Sequence, residues 1–230
     1  RLTVDEGIEG EPCFSPDGRL ITFSAQYDGN TDVFVVPVEG GLPERLTWHP
    51  GSDAARGFTP DGTKVLFASQ RATFTGRYTQ LFTVGIGGGY PERLEIPNAY
   101  YASFSPDGGM MAYTPIPPAH AQWKNYRGGT VSTIWLYKFT DRSVVKIQQP
   151  EGRCNDTHPM WIGDRIYFLS DRNGEFNLFS CSVNGGDIRQ LTSFTDFPVL
   201  NASGTAGTIV LEQAGYIHRF DIATGEARRL

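Results

Sequence analysis

"FSPDG" at residues 14–18, "FTPDG" at 58–62 and "FSPDG" at 104–108 spell one turn three times. In the first copy Pro16 presets φ for the second position of a tight turn and Asp17 tolerates the third. Gly18 supplies the positive φ that would strain a side chain. A β-rich run follows each copy, so the pentapeptide is expected to close a hairpin between two strands.

Working outward from the turn exposes a longer unit. Its starts fall at 14, 58 and 104, then at "MWIGD" (160–164) and "LNASG" (200–204), giving spacings of 44, 46, 56 and 40 residues. Each unit carries a second strand ("LITFSA", "KVLFAS", "MMAYTP", "RIYFLS", "TIVLEQ") and a third ("VFVVPV", "LFTVGI", "IWLYKF", "LFSCSV", "IHRFDI"). A glycine or polar turn then leads to a fourth strand, "PERLT", "PERLE", "VVKIQ", "IRQLT" or "EARRL".

Four strands per unit of roughly 40–45 residues is the period of a β-propeller blade. The near-continuous apolar character of the second and third strands fits sheets buried on both faces between neighbouring blades. The charged fourth strands fit outer edges that must not pair with other proteins. The first strands are expected to be short and to line a central channel, and no helix of ordinary length is expected anywhere.

The expected fold is therefore all-β, a β-propeller of five complete four-stranded blades over about 11–50, 51–97, 98–150, 151–195 and 196–230. These blades form one domain over 4–230. Residues 1–3, Arg1-Leu2-Thr3, have the sequence of an outer strand, as "RLT" at 45–47 and "QLT" at 190–192 show. They are expected to be the outer strand of a truncated sixth blade in a six-bladed parent.

Bulk properties narrow the function classes. A net charge of −5 gives no electrostatic case for nucleic acid or an anionic membrane surface. No apolar run approaches the roughly 20 residues that a spanning helix needs. Cys13, Cys154 and Cys181 are an odd number at unrelated spacings, which fits small buried hydrophobes better than a disulfide framework.

The repeats resemble those of TolB and of tricorn-type proteases. One stretch is more telling than the turn: "HAQWKNYRGGTVSTIWLY" (120–137), an insertion that accounts for the 56-residue spacing. It looks like the N-terminal propeller of tricorn protease, and "DRIYFLSDRNGEFNLFS" (164–180), "LTSFTDF" (191–197) and "LNASGT" (200–205) match that family in order. The resemblance covers essentially the whole chain.

It implies a six-bladed, non-catalytic propeller of a serine peptidase that trims oligopeptides. Such a domain would act as scaffold and peptide sieve, with peptides and the other domains of the parent as partners and a homo-oligomeric parent. The implied compartment is the cytoplasm, with the periplasm as the alternative. No cofactor and no metal are implied.

The residues agree with a domain that carries no catalytic group. There is no G-x-S-x-G elbow and no H-E-x-x-H. The four histidines, His49, His120, His158 and His218, fall in different units. Asp28-Gly-Asn-Thr-Asp32 has Val33 where a calcium loop requires glycine, so it reads as a polar hairpin tip. "GIGGGY" (85–90) has no following helix and reads as a turn.

The candidate contact residues lie mainly in the insertion: His120, Trp123, Lys124, Tyr126 and Arg127. They would touch peptide carboxylates or backbone, or a neighbouring domain. The alternative is an aromatic plug packed on the adjacent blade, with Trp123 and Tyr126 inward and Lys124 and Arg127 reaching solvent. Members of the resembled family anchor a peptide's C-terminal carboxylate with basic residues on the loop leaving an early outer strand. Here that loop, "WHPGSDAARG" (48–57), is short and carries only Arg56.

Two further function classes stay open at this stage. A free-standing TolB-like module would bind a protein partner on one face. The propeller of a prolyl-oligopeptidase-type hydrolase would need an α/β-hydrolase domain, for which five blades leave no room.

Overall fold

The structure, a computed structural model, describes residues 2–230. The chain divides into two compact units, Arg1–Tyr100 and Tyr101–Leu230. The first holds two antiparallel four-stranded sheets. One is β1 (Ile8–Phe14), β2 (Leu20–Gln26), β3 (Asp32–Pro37) and β4 (Glu44–Arg45). The other is β5 (Asp53–Phe58), β6 (Lys64–Ser69), β7 (Gln80–Gly85) and β8 (Gly88–Arg93).

The second unit holds three sheets of the same kind. They are β9 (Ala102–Phe104), β10 (Met110–Tyr113), β11 (Trp135–Lys138) and β12 (Val144–Lys146); then β13 (Asp156–Ile162), β14 (Arg165–Ser170), β15 (Asn177–Ser182) and β16 (Arg189–Gln190). The last comprises β17 (Val199–Thr205), β18 (Thr208–Gln213), β19 (Tyr216–Asp221) and β20 (Glu226–Arg229). Strands pair in sequence order within every sheet, so these are five propeller blades. The only helical turn among the described residues is a 3-10 turn at Ala119–Ala121.

The repeated pentapeptide closes the hairpins as its chemistry requires. Gly18, Gly62 and Gly108 take φ of 72°, 69° and 71°, each donating its N–H to the carbonyl three residues back. In each turn the aspartate accepts from the preceding Ser or Thr hydroxyl and from the backbone N–H two residues on. Those bonds hold Asp17, Asp61 and Asp107 below the ordinary carboxylate value, the hydroxyl being the largest cause.

Two strand expectations need correction. Three of the first strands, β1, β13 and β17, have 7 residues, whereas the outer strands β4 and β16 have only 2. The outer strand borders solvent and needs few ladder bonds to be held. "LNASG" is strand and not turn: it lies inside β17, and the turn follows at Ala206-Gly207, where Gly207 takes φ of 84°. The "GIGGGY" stretch is the expected hairpin, with Gly85 paired to Gly88.

The core sits between sheets. In the first unit Val33, Val35, Leu46, Val65, Phe67 and Phe82 form one cluster. In the second, one cluster gathers Leu136, Ile147, Ile166, Phe168 and Phe179, and another Tyr167, Leu178, Val199, Ile209 and Phe220. Phe67 and Phe168 are fully buried, and burying such a side chain stabilises by about 2–3 kcal/mol.

A rule runs through these clusters. The apolar residue just after an outer strand packs on the following sheet: Leu46 on Val65 and Phe67, Ile147 on Ile166 and Phe168, and Leu191 on Ile209 and Leu211. Leu2 packs in the same way on the cluster of Phe23, Phe34 and Val36. Arg1, the start of the expected outer strand, lies outside the described residues, and Leu2 and Thr3 lie ahead of the first assigned strand.

Cys154 and Cys181 are buried, Cys13 is half-buried and all three are free. Burial pushes their thiols up, to about 11 for Cys13 and about 12 for Cys154 and Cys181. No helix among the described residues is long and apolar enough to cross a membrane.

Candidate functional site

The loop joining the second strand of a blade to its third starts from a recurring staple. In the second blade Arg71 reaches Asp53 at 2.5 Å, takes Ser69 Oγ on its Nε at 3.0 Å and lies over the Phe67 and Phe82 rings. In the fourth blade Arg172 repeats every contact, with Asp156 at 2.8 Å, Ser170 at 3.0 Å and the rings of Phe168 and Phe179. The first blade fills the slot differently: the Tyr27 hydroxyl donates to Glu9, and its ring packs on Phe34.

The equivalence is one of register, since Glu9 faces Ala25, Asp53 faces Ser69 and Asp156 faces Ser170. A carboxylate on the first strand, buried in the second and fourth blades and exposed in the first, thus ties down the start of the loop after the second. "SQR" (69–71) and "SDR" (170–172) are its sequence signal.

The third blade lacks the staple. "MMAYTPIPP" (110–118) places prolines where Ser and Arg would stand, and the chain leaves as the long insertion. No residue from 115 to 131 is fully buried. The loop is held instead by a polar anchor. Arg127 Nη1 donates to Asp171 Oδ2 at 2.6 Å and Nη2 to the Asp171 carbonyl at 3.2 Å. Asn155 Nδ2 donates to the same carboxylate at 2.8 Å and to the Tyr126 carbonyl at 2.8 Å, while the Asn155 N–H reaches Asp171 Oδ1 at 2.7 Å. Asp171, Arg172's neighbour, is 1% exposed.

The structure reverses the expected division of labour here. Trp123, expected to pack inward, is 60% exposed. Arg127, expected to face solvent, is the side chain that locks the loop. The reason is chemical: the surface beneath the loop offers a carboxylate and an amide, which a guanidinium satisfies and an indole does not. Tyr126 stays half-buried, its hydroxyl accepting from Thr130 Oγ1 at 2.9 Å. A Cβ at Gly128 would collide with that hydroxyl and ring, so any larger residue there would have to displace the tyrosine.

Lys124 does face solvent and pairs with Glu175 at 2.6 Å. His120 packs its ring on Phe176 at 4.6 Å, and burial pushes its pKa down, opposed by the charge of Asp171. The insertion therefore shows an indole and a paired ammonium on a hydrogen-bonded base, with the His120 ring packed on Phe176.

Arg56 lies elsewhere and is not offered to a ligand. It sits on β5 at a register shift, with its side chain 4% exposed. Its guanidinium pairs with Glu11, its Nε donates to the Tyr100 carbonyl, and it lies over the Tyr100 ring at 4.8 Å. Glu11, itself at a bulge in β1 with φ of 55°, also accepts from Ser24 Oγ at 2.8 Å. A cation so committed cannot anchor a peptide carboxylate without giving up Glu11.

Sequence reading missed Asp171, Asn155, Glu175 and Glu11, all carboxylates or amides whose partners lie far along the chain. Arg45 bridges Asp28 and Asp32 at 3.0 and 2.6 Å, which confirms a polar hairpin tip. No cluster of three or more metal-ligating side chains occurs among the described residues.

The model of the tricorn protease N-terminal beta propeller domain matches residues 1–226. Tricorn protease homolog 1 of Streptomyces coelicolor is 32% identical over all of this chain, which covers 22% of that protein. The crystal structure of the tricorn protease superposes with a TM-score of 0.87 at 25% identity, over 99% of this chain and 23% of that one. A putative TolB from Agrobacterium tumefaciens gives 0.74 at 18% identity, over 97% of this chain and 80% of that one, a likeness of fold. The chain thus spans about a fifth of the length of the curated relatives it matches. With five four-stranded blades, the insertion and a family match over nearly every residue, this chain belongs to the family of tricorn protease N-terminal β-propeller domains.

Proposed function

We propose that the chain is a non-catalytic propeller of a tricorn-like serine peptidase, where it serves as scaffold and as a filter for oligopeptides. The observation that carries this is the match of residues 1–226 to the N-terminal propeller of that family. The chain's own chemistry supports it. Burial holds Cys154 and Cys181 as thiols, because about 12 is far above neutral pH, so neither supplies a thiolate nucleophile.

The filter acts by shape: extended oligopeptides pass and folded proteins do not. Its partners are peptides in transit and the remaining domains of the parent, in a homo-oligomeric, cytoplasmic enzyme. The test uses the parent peptidase with and without this domain, given tetrapeptides, peptides of increasing length and a folded protein. Removal should leave tetrapeptide turnover in place and abolish discrimination by size. Unchanged size discrimination would overturn the filter. Purified chain alone should turn over a fluorogenic peptide library no faster than buffer.

A further inference from the structure

We infer that the insertion of the third blade is a docking element, with Trp123 as the anchor that enters an apolar pocket on another domain of the same polypeptide. The inference rests on the reading above that the chain is one part of a larger protease.

The first argument is energetic. Connections between strands usually run to a handful of residues, and longer irregular loops are functional or disordered. Ordering a loop costs about 1–2 kcal/mol per residue in backbone entropy. Loops that complete a core recover this by burying side chains, yet nothing from 115 to 131 is fully buried, and the 3-10 turn at Ala119–Ala121 buries no residue. The loop is nevertheless fixed through Arg127, Asp171 and Asn155, and its strands are already paired without it. Its order serves what it displays.

The second argument is what stands outermost. Trp123 is 60% exposed, with the Tyr126 ring 6.1 Å away and tilted behind it. Lys124, the next residue, has its charge already answered by Glu175, so it brings no unpaired cation into a contact. A tryptophan held on a hydrogen-bonded base and flanked by a neutralised pair is the composition of an interface hot spot, where preorganisation lowers the ordering cost of binding.

The third argument fixes the occupant. Relatives carry about four times as much polypeptide again as this chain, since it covers 22% and 20% of two of them. That polypeptide is tethered at high effective concentration, so a single aromatic anchor suffices where a free partner would need a full-sized interface. A second copy of the chain or a transient peptide is the competing occupant.

The experiment uses the full-length parent. Hydroxyl-radical footprinting reads the oxidation rate of Trp123, normalised to the urea-unfolded parent. Docking predicts a rate about tenfold below that of an indole exposed as Trp123 is here, as full desolvation of a hot spot requires. A normalised rate matching its exposure overturns the proposal. A photo-crosslinker in place of Trp123 then names the occupant. Crosslinks to the parent's own sequence beyond these 230 residues support docking, whereas crosslinks confined to a second copy or to added peptide overturn it.

The two readings fail separately. A reactive Trp123 in a parent that still selects by size removes the docking element and leaves the filter. A protected, internally crosslinked Trp123 in a parent without size selection does the reverse.

Discussion

Arg127 grips Asp171 twice, through the carboxylate at 2.6 Å and through the main-chain carbonyl at 3.2 Å, across 44 residues of sequence. Asp171 is 1% exposed, so the grip compensates a charge that water cannot reach. Asn155 joins it, donating to both the Asp171 carboxylate and the Tyr126 carbonyl.

Truncating Arg127 should therefore cost more than truncating Trp123. Breaking a buried pair costs about 3–5 kcal/mol, and the 34% exposure of the Arg127 side chain moves the expectation for Arg127→Ala to about 2–3 kcal/mol. Trp123→Ala should stay within about 1 kcal/mol, because little area leaves water on folding. Urea melts of the two variants decide the order, and a Trp123 variant worse than the Arg127 variant would contradict it.

The same physics explains what was legible in the sequence. Pro16, Asp17 and Gly18 fix a turn by local chemistry, so three copies announced the hairpins before any contact was known. The apolar runs of β2, β6 and β14 announced burial for the same reason. Trp123 misled because apolar character implies burial only where a strand carries the residue into a sheet face, and the insertion has no strand. Arg56 and Arg127 misled because a cation looks free until its carboxylate is found, and Glu11 and Asp171 lie 45 and 44 residues away. Only the blade repeat brings such positions together.

The staple gives a prediction with a pH signature. Asp156 is raised above its ordinary 3.8, first by burial, with Arg172 pulling it back. Arg172→Ala strands that carboxylate and should cost about 3–5 kcal/mol at neutral pH. Without the guanidinium the folded value rises further, so the variant's stability is fullest below about pH 3.8 and is lost as pH rises through the raised value. Adding Asp156→Asn should restore part of the loss and flatten the profile. Melting temperature against pH measures both, and a penalty independent of pH would show that lost packing on Phe168 and Phe179 dominates.

The turn aspartates run the other way. Asp17, Asp61 and Asp107 are held below 3.8, chiefly by the hydroxyls of Ser15, Thr59 and Ser105. Such a group supports the fold where it is ionised, so its contribution is complete above about pH 3.8 and disappears as pH falls through the lower folded value. The triple variant Asp17→Asn, Asp61→Asn, Asp107→Asn should be less stable than the parent sequence at pH 6. The gap should close in acid. A gap that widens below pH 3.8 would mean that the turns do not use the ionised form.

The last blade and Leu2 together carry the remaining prediction. Leu46, Ile147 and Leu191 each follow an outer strand and pack on the next sheet, and Leu2 occupies the same place on the cluster of Phe23, Phe34 and Val36. By that rule we propose that Leu2 belongs to a preceding blade. In β18 and β19 burial alternates: Ile209, Leu211 and Phe220 are covered, while Val210 at 40% and Ile217 at 46% stand open on the opposite face. β6 and β14, by contrast, are covered on both faces. A sixth blade in the parent would supply three inner strands for Leu2's segment and an apolar cover for Val210 and Ile217. Thiol labelling of Val210→Cys and Ile217→Cys should accordingly be fast in the 230-residue chain and at least about tenfold slower in the longer parent, as burial between blades requires. Ile217→Glu should cost the parent about 2–4 kcal/mol through a buried, unpaired charge, and the 230-residue chain about 0.5 kcal/mol or less. Equal labelling in the two proteins would leave the outer face of the last blade uncovered and refute the sixth blade.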